Sequence, residues 1–265
     1  MTFSPVTAEQ TDWLIALLSE AGYEGFEEKE QALLAYIPSA AYNESQLAAL
    51  ASEMQLTYSV QHVEPINWNQ QWESNFDPVT IDSFLHIRAA FHPPFGQATH
   101  ELVITPKMSF GTGHHATTRL MASEMRQLDL NDKTVFDFGT GTGVLAILAE
   151  KMGASRVIAI DNDSWSLQNA AENIEANQCS RIELSEGAAP LPGVSADIIV
   201  ANINLSILTE HMRALVRMVL PGGQLVLSGI LEEDISTLLP VCEQEQLRLL
   251  SQQTLLGWSV LRLAY

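Results

Sequence analysis

Three groups of residues carry types and spacings that could do chemistry. The first is Asp137-Phe138-Gly139-Thr140-Gly141-Thr142-Gly143, an apolar run closed by an acid and followed by glycines at every second position. The helix-like stretch Val144 to Met152 comes next. This order predicts backbone N–H groups gathered at a helix N-terminus, where unpaired donors and the helix dipole favour an anion, either a pyrophosphate or the carboxylate of a methionine moiety. Read from Gly141, the segment is also GxGxxA, and Asp161 follows at about the 20-residue distance of the dinucleotide fingerprint. The loop alone therefore admits two cofactors. Asp137 tilts the choice, because a carboxylate repels a pyrophosphate but can face the ammonium group of S-adenosyl-L-methionine. Asp161, closing Ile158-Ala159-Ile160-Asp161, is placed to accept hydrogen bonds from both hydroxyls of a ribose, which either cofactor offers.

The second group is Val200-Ala201-Asn202-Ile203-Asn204, at the end of another apolar run and in the crevice where open sheets bind ligands. It resembles the Asn-Pro-Pro-aromatic motif of amino-methylating enzymes, whose polar oxygens orient the amine, with Leu205 in the place of the aromatic. Asn202 is the candidate catalytic residue. The plainer alternative is a turn pair whose side chains satisfy loop backbone groups. The third group is Met108-Ser109-Phe110-Gly111-Thr112-Gly113-His114-His115-Ala116-Thr117-Thr118, a glycine-freed loop offering hydroxyls, imidazoles and an aromatic ring. Phe110 joins the candidate contacts. His114 and His115 do not, and no metal site is expected, since neither has a carboxylate or cysteine partner at a ligand spacing.

The elements that must hold these groups can be read from periodicity. From residue 134 the chain alternates between short apolar runs of buried-strand type (Thr134 to Phe138, Arg156 to Ile160, Ile182 to Leu184, Asp197 to Ala201, Gln224 to Ser228) and helical segments. Parallel strands are expected there. Leu247 to Ser251 and Trp258 to Leu263 lie too close together for a crossover and predict an antiparallel hairpin closing the sheet. Pro221-Gly222-Gly223 reads as a turn. The start of the chain differs. Thr7-Ala8-Glu9-Gln10 has capping-box spacing ahead of Trp13, Leu14, Leu17, Leu18 and Ala21 on one helical face, and a second helix opens at Asn43-Glu44-Ser45-Gln46. With strand candidates at 3–6, 23–28, 31–37 and 56–63, the order is β-α-β-β-α-β, a ferredoxin-like sandwich. Trp68, Trp72 and Phe76 recur every fourth residue and predict a helix that docks two domains.

A length of 265 residues suits one α/β catalytic domain plus a smaller module. Cys179 and Cys242 form no CxxC pair or disulfide framework, as expected in a reducing compartment. The first residues lack the basic and apolar regions of a secretory signal, and no apolar run approaches the ~20 residues of a membrane span, so the expected location is the cytoplasm. Net charge is −19. Such a field repels free nucleic acid and attracts basic partners. Before residue 67 ten acids stand against a single base, Lys29.

With these residues in view, the chain resembles the ribosomal protein L11 methyltransferase (PrmA) family over nearly its whole length. The matching pieces are Asn67-Trp68 to Phe76, Phe110-Gly111-Thr112-Gly113 to Thr117-Thr118, Asp137-Phe138-Gly139 to Gly143, Ile160-Asp161-Asn162-Asp163 and Ala201-Asn202-Ile203. Where the family has Thr-His-Pro-Thr-Thr, this chain has His114-His115-Ala116-Thr117-Thr118, and the proline's fixed torsion is absent. The resemblance implies the Rossmann-like sheet of class I methyltransferases in residues 79–265, a linker helix at 65–78, and a ferredoxin-like domain in residues 1–64 that recognises a basic ribosomal protein. It further implies methyl transfer from S-adenosyl-L-methionine to lysine ε-amines, with the N-terminal amine as a further acceptor. Family contacts to the cofactor map to Thr118, Gly139, Asp161 and Asn202, beside Phe110, Asp137, Gly141 and Gly143 from the residue patterns. The rival expectations are a nicotinamide-dependent oxidoreductase, which keeps the loop and Asp161 but leaves Asp137 and Asn202 without a task, and a noncatalytic cofactor-binding protein.

Overall fold

A computed structural model describes residues 1–62, 76–107 and 109–265, so most of the expected linker helix, with Trp68 and Trp72, lies outside the described residues. The chain divides into two compact units, Met1–Gln71 and Trp72–Tyr265.

The first unit runs β1 (Thr2–Phe3), α1 (Ala8–Glu20), β2 (Gly25–Lys29), β3 (Ala32–Tyr36), α2 (Glu44–Glu53) and β4 (Tyr58–Ser59). Its sheet is antiparallel in the order β2-β3-β1-β4, which is the expected sandwich. Thr7 Oγ1 accepts from Gln10 N–H while Gln10 Oε1 accepts from Thr7 N–H, so the capping box fixes the start of α1. Asn43 Oδ1 does the same for α2 through Gln46 N–H. The buried stripe of α1 is narrower than the sequence implies. Thr11, Leu14 and Leu18 are buried, but Trp13 is 62 % exposed.

The second unit opens with a small sheet of β5 (Val79–Ile81), β6 (Leu85–Arg88) and β7 (His100–Val103), in which β6 and β7 are parallel. Then come α3 (Ala116–Met125), β8 (Thr134–Phe138), α4 (Val144–Lys151), β9 (Arg156–Asp161), α5 (Ser164–Ala176), β10 (Ile182–Glu186), β11 (Ala196–Asn202), α6 (Leu205–Met218), β12 (Val219–Leu231), α7 (Ile235–Gln244), β13 (Arg248–Leu255) and β14 (Trp258–Ala264). The seven-stranded sheet has the order β10-β9-β8-β11-β12-β14-β13, parallel up to β12 and antiparallel on both sides of β14. Chain order reverses direction between β8 and β11, which opens a crevice at their C-terminal ends. Both sheet faces are covered, one by Leu120, Met121, Leu145 and Leu148 of α3 and α4, the other by Leu208, Met212 and Leu215 of α6 with Leu238 and Cys242 of α7. This double burial is why the central strands read as unbroken apolar runs.

Two turn signals are used differently. Leu256 and Gly257, both at positive φ, close the β13–β14 hairpin with a two-residue turn. Pro221-Gly222-Gly223 ends no strand. It bulges out within β12, where pairing with β11 jumps from Ala196↔Val219 to Ile198↔Gln224.

Candidate active site

The glycine loop between β8 and α4 is held from three sides. Gly139 and Thr140 N–H both donate to Ile160 O, Gly141 N–H to Asp161 Oδ2 at 2.8 Å, Thr142 N–H to Phe110 O at 2.9 Å and Gly143 N–H to Thr140 O. Five successive donors are thus engaged within the protein, a correction to the expected anion cradle. A pyrophosphate needs a run of free N–H groups, which this loop does not offer. The glycines serve close approach instead. A Cβ on Gly139 would overlap the Cγ2 of Ile203, and one on Gly141 would overlap the carbonyl oxygen of Phe110. Gly143 caps α4 and lets it lie against Ala170 of α5.

Phe110 and the glycine loop form an interlock. Beside the backbone bond, Thr142 Oγ1 donates to Gly111 O at 2.7 Å in a buried contact. Asn173 of α5 locks the same place, donating to Thr142 O and accepting from Thr105 N–H. His115 caps α3 by accepting from Thr117 N–H, with its ring between Phe110 and Trp258. The helix therefore starts at Ala116 without the proline expected at its first position. His114 bonds the Asp77 carbonyl and Thr112 and lies against Phe76, so both histidines shape the loop.

A cavity of about 410 Å³ opens at the C-terminal ends of β8, β9 and β11 and brings together Phe110, Gly139, Gly141, Asp161 and Asn202. Thr118, Asp137 and Gly143 stand outside its lining. Asn162, Ser166, Gly187, Ala188, Ile203 and Ile207 also line it. Gly187 and Ala188 carry no distinctive side-chain chemistry; only their place just after β10, another strand end on the crevice, could have singled them out. Asp161 fills a double structural role, since Oδ1 accepts from Asp163 N–H while Oδ2 holds Gly141. A carboxylate has about four lone-pair sites, so capacity remains for ribose hydroxyls.

Asn202, which ends β11, and Asn204 both line the cavity but differ in their bonds. Asn204 caps α6, accepting from Ile207 N–H at 3.0 Å and from Ser206 Oγ, as a turn asparagine should. Asn202 Oδ1 is buried with no hydrogen-bond partner. Thr118 Oγ1, Asn169 Nδ2 and Asp137 Oδ1 share that condition, although the Ala146 N–H stands near enough to the Asp137 carboxyl to favour its charged form. A buried polar atom left unpaired costs about 1–3 kcal/mol, so Asn202 Oδ1 at the cavity points to a ligand that brings a donor. Asp137 is fully buried and its Oδ2 accepts from Thr140 Oγ1 at 2.6 Å. Burial, reinforced by the charge of Asp161, pushes its carboxyl up to about 7. A cationic ligand group nearby would favour its ionised form. These features fit S-adenosyl-L-methionine, whose ammonium and ribose hydroxyls are donors.

Known proteins point the same way. A family profile described as "Ribosomal protein L11 methyltransferase (PrmA)" matches residues 5–264. A ribosomal protein L11 methyltransferase of Bacteroides thetaiotaomicron is 40 % identical, over 99 % of this chain and 96 % of its own length. That of Porphyromonas gingivalis is 42 % identical over 95 % of this chain and 89 % of its own. Among solved structures, a ribosomal protein L11 methylase from Lactobacillus delbrueckii subsp. bulgaricus superposes with a TM-score of 0.66 at 26 % identity, over 71 % of this chain and 98 % of that one. A methyltransferase from Pyrococcus furiosus, 17 % identical over 62 % of this chain and 88 % of its own, shares the fold with a TM-score of 0.50.

Proposed function

This chain belongs to the ribosomal protein L11 methyltransferase family, and we propose from that premise that it methylates lysine ε-amines of that basic ribosomal protein, and its N-terminal amine by the same chemistry. The methyl donor is S-adenosyl-L-methionine. One observation carries the acceptor assignment: the unpartnered, buried Oδ1 of Asn202 stands in the same cavity as Asp161 and the glycine loop.

S-Adenosyl-L-methionine supplies a sulfonium methyl that is already electrophilic, so the protein's work is alignment and exclusion of water. Asp161 holds the ribose, Gly139 and Gly141 allow close backbone approach, and Phe110 covers the mouth of the cavity. Asp137 sets a negative field beneath the loop, toward the ammonium group, and Thr118 offers its hydroxyl from the first turn of α3. Gly143 acts through helix packing. Asn202 Oδ1 accepts a hydrogen bond from the incoming amine and turns its lone pair toward the donor. A lysine amine, with an ordinary pKa of roughly 10.4, must first lose its proton.

Residues 1–64 act as the recognition domain, residues 65–78 as the linker and residues 79–265 as the catalytic domain. An acidic recognition surface suits a basic substrate and disfavours free nucleic acid. Among the described residues no helix is long and apolar enough to cross a membrane, and the work of the enzyme is placed in the cytoplasm with its substrate.

The test is incubation with isotopically labelled S-adenosyl-L-methionine and total ribosomal proteins, followed by peptide mass spectrometry. Label is expected on amines of one large-subunit protein, at a single-turnover rate that rises from neutral to alkaline pH. Label on carboxylates or nucleobases, or none despite bound cofactor, sinks the assignment.

A further inference from the structure

The cofactor loop and the acceptor loop meet at one residue. Ile203 follows Asn202 directly and lies between two glycines, Gly139 in the loop after β8 and Gly229 in β12. On one side its Cγ2 occupies the space in which a Cβ of Gly139 would sit. On the other, its backbone lies over Gly229 of β12, where an added Cβ would meet Ile203 C at 2.6 Å and N at 2.7 Å and would overlap its carbonyl oxygen. Gly229 has φ +85 and sits inside the register shift between Leu227 and Ile230, so β12 is shaped to pass beneath this segment. Ile203 N–H donates to Ser228 O at 3.1 Å, and Ser228 Oγ donates to Ser259 O of β14 at 2.7 Å. The backbone after Asn202 is therefore pinned from β12, while its side chain presses on the loop after β8.

We propose that Ile203 is a positioning wedge: Gly229 and Ser228 fix its backbone, and its Cγ2 transmits that position to Gly139, so that the group binding the donor and the group orienting the acceptor keep a fixed separation. This deepens the methyltransferase assignment and rests on it. Dense interiors transmit displacement because no slack separates the parts. A misplacement of about 1 Å between reacting groups can cost roughly 100-fold in rate.

The two glycine contacts differ in kind, and that difference makes the wedge testable. Gly139 meets a side-chain atom, which truncation of Ile203 removes; Gly229 meets backbone, which no substitution at 203 removes. The measurements are affinity for S-adenosylhomocysteine by calorimetry, single-turnover methyl transfer at saturating cofactor, and the melting temperature of each ligand-free variant. Gly139→Ala is expected to weaken affinity at least tenfold. Adding Ile203→Ala should recover the part of that loss due to the overlap, the rest being the strain of a side chain at the φ +77 of Gly139, while adding Ile203→Val, which keeps a methyl in that place, should recover little. Gly229→Ala is expected to lower both affinity and transfer, by pushing Ile203 onto Gly139. Adding Ile203→Ala there should restore affinity and leave transfer at least tenfold down.

Equal recovery by alanine and valine at 203, or recovery of transfer in the Gly229→Ala, Ile203→Ala double variant, overturns the wedge. If either glycine variant fails to fold, Ile203→Ala alone decides: transfer must fall at least tenfold at saturating cofactor with the melting temperature of the ligand-free protein within a few degrees of the parent, and an unchanged rate overturns the proposal. A parent protein that binds no S-adenosylhomocysteine refutes the function itself, a result distinct from all of these.

Discussion

A carboxyl group sealed under the loop that it supports gives the residue scale its clearest consequence. Asp137 has an ordinary value of 3.8 and is pushed up to about 7 in the folded chain, chiefly by burial. Its folded value exceeds its unfolded one, so the native state binds the extra proton between these limits. Its contribution to stability is complete below about 4 and is lost progressively as pH rises from there through about 7. The ligand-free Asp137→Asn protein should therefore gain on the parent in urea unfolding as pH is raised from about 5 to about 8. Parallel stability curves would show that Asp137 titrates normally. Asn202 and Asn204 teach a different lesson at this scale. They are the same residue type two positions apart, and sequence could not say which was free. Helix α6 begins at Leu205 and claims the Asn204 side chain as its cap, so that of these two asparagines lining the cavity it is Asn202 that keeps an unpartnered oxygen.

At the scale of elements, the strands were readable because burial on both faces makes them continuous apolar runs, and the glycine loop was readable because its spacing is local. The interlock between loops was not. Thr142 reaches Gly111 across 31 positions, and Asn173 reaches Thr105 across 68, so no local pattern encodes either bond. The same distance effect hid the engagement of the loop's N–H groups with Ile160 O, Asp161 and Phe110. Thr142→Val keeps the side-chain volume and the backbone bond to Phe110 but deletes the hydroxyl bond to Gly111. Unfolding free energy should drop by about 1–3 kcal/mol, since the Gly111 carbonyl is left buried without that donor. Affinity for S-adenosylhomocysteine should fall with it as the Phe110 segment loosens. Unaltered affinity in calorimetry would mean that the Phe110 loop and the cofactor loop act independently.

At the scale of the molecule, ten acids against Lys29 before residue 67 give the first unit a field of one sign. Exposed charges are screened beyond about 8 Å at physiological ionic strength, so kcat/KM for the ribosomal protein should decline as salt is raised while kcat holds. A kcat/KM indifferent to salt would leave that charge with a role in solubility alone. The sheet of the second unit carries a consequence of another sort, one of timing. Residues 258–264 form β14, which is not an edge but lies between β12 and β13, with Ser259 O receiving the hydroxyl of Ser228 beneath the acceptor loop. These residues leave the ribosome after every other strand of the sheet. A nascent chain already holding its glycine loop, Asp161 and Asn202 still lacks the strand that secures β12. An enzyme whose proposed substrate is a component of ribosomes thus completes its own site only once the last strand of this sheet has emerged from one.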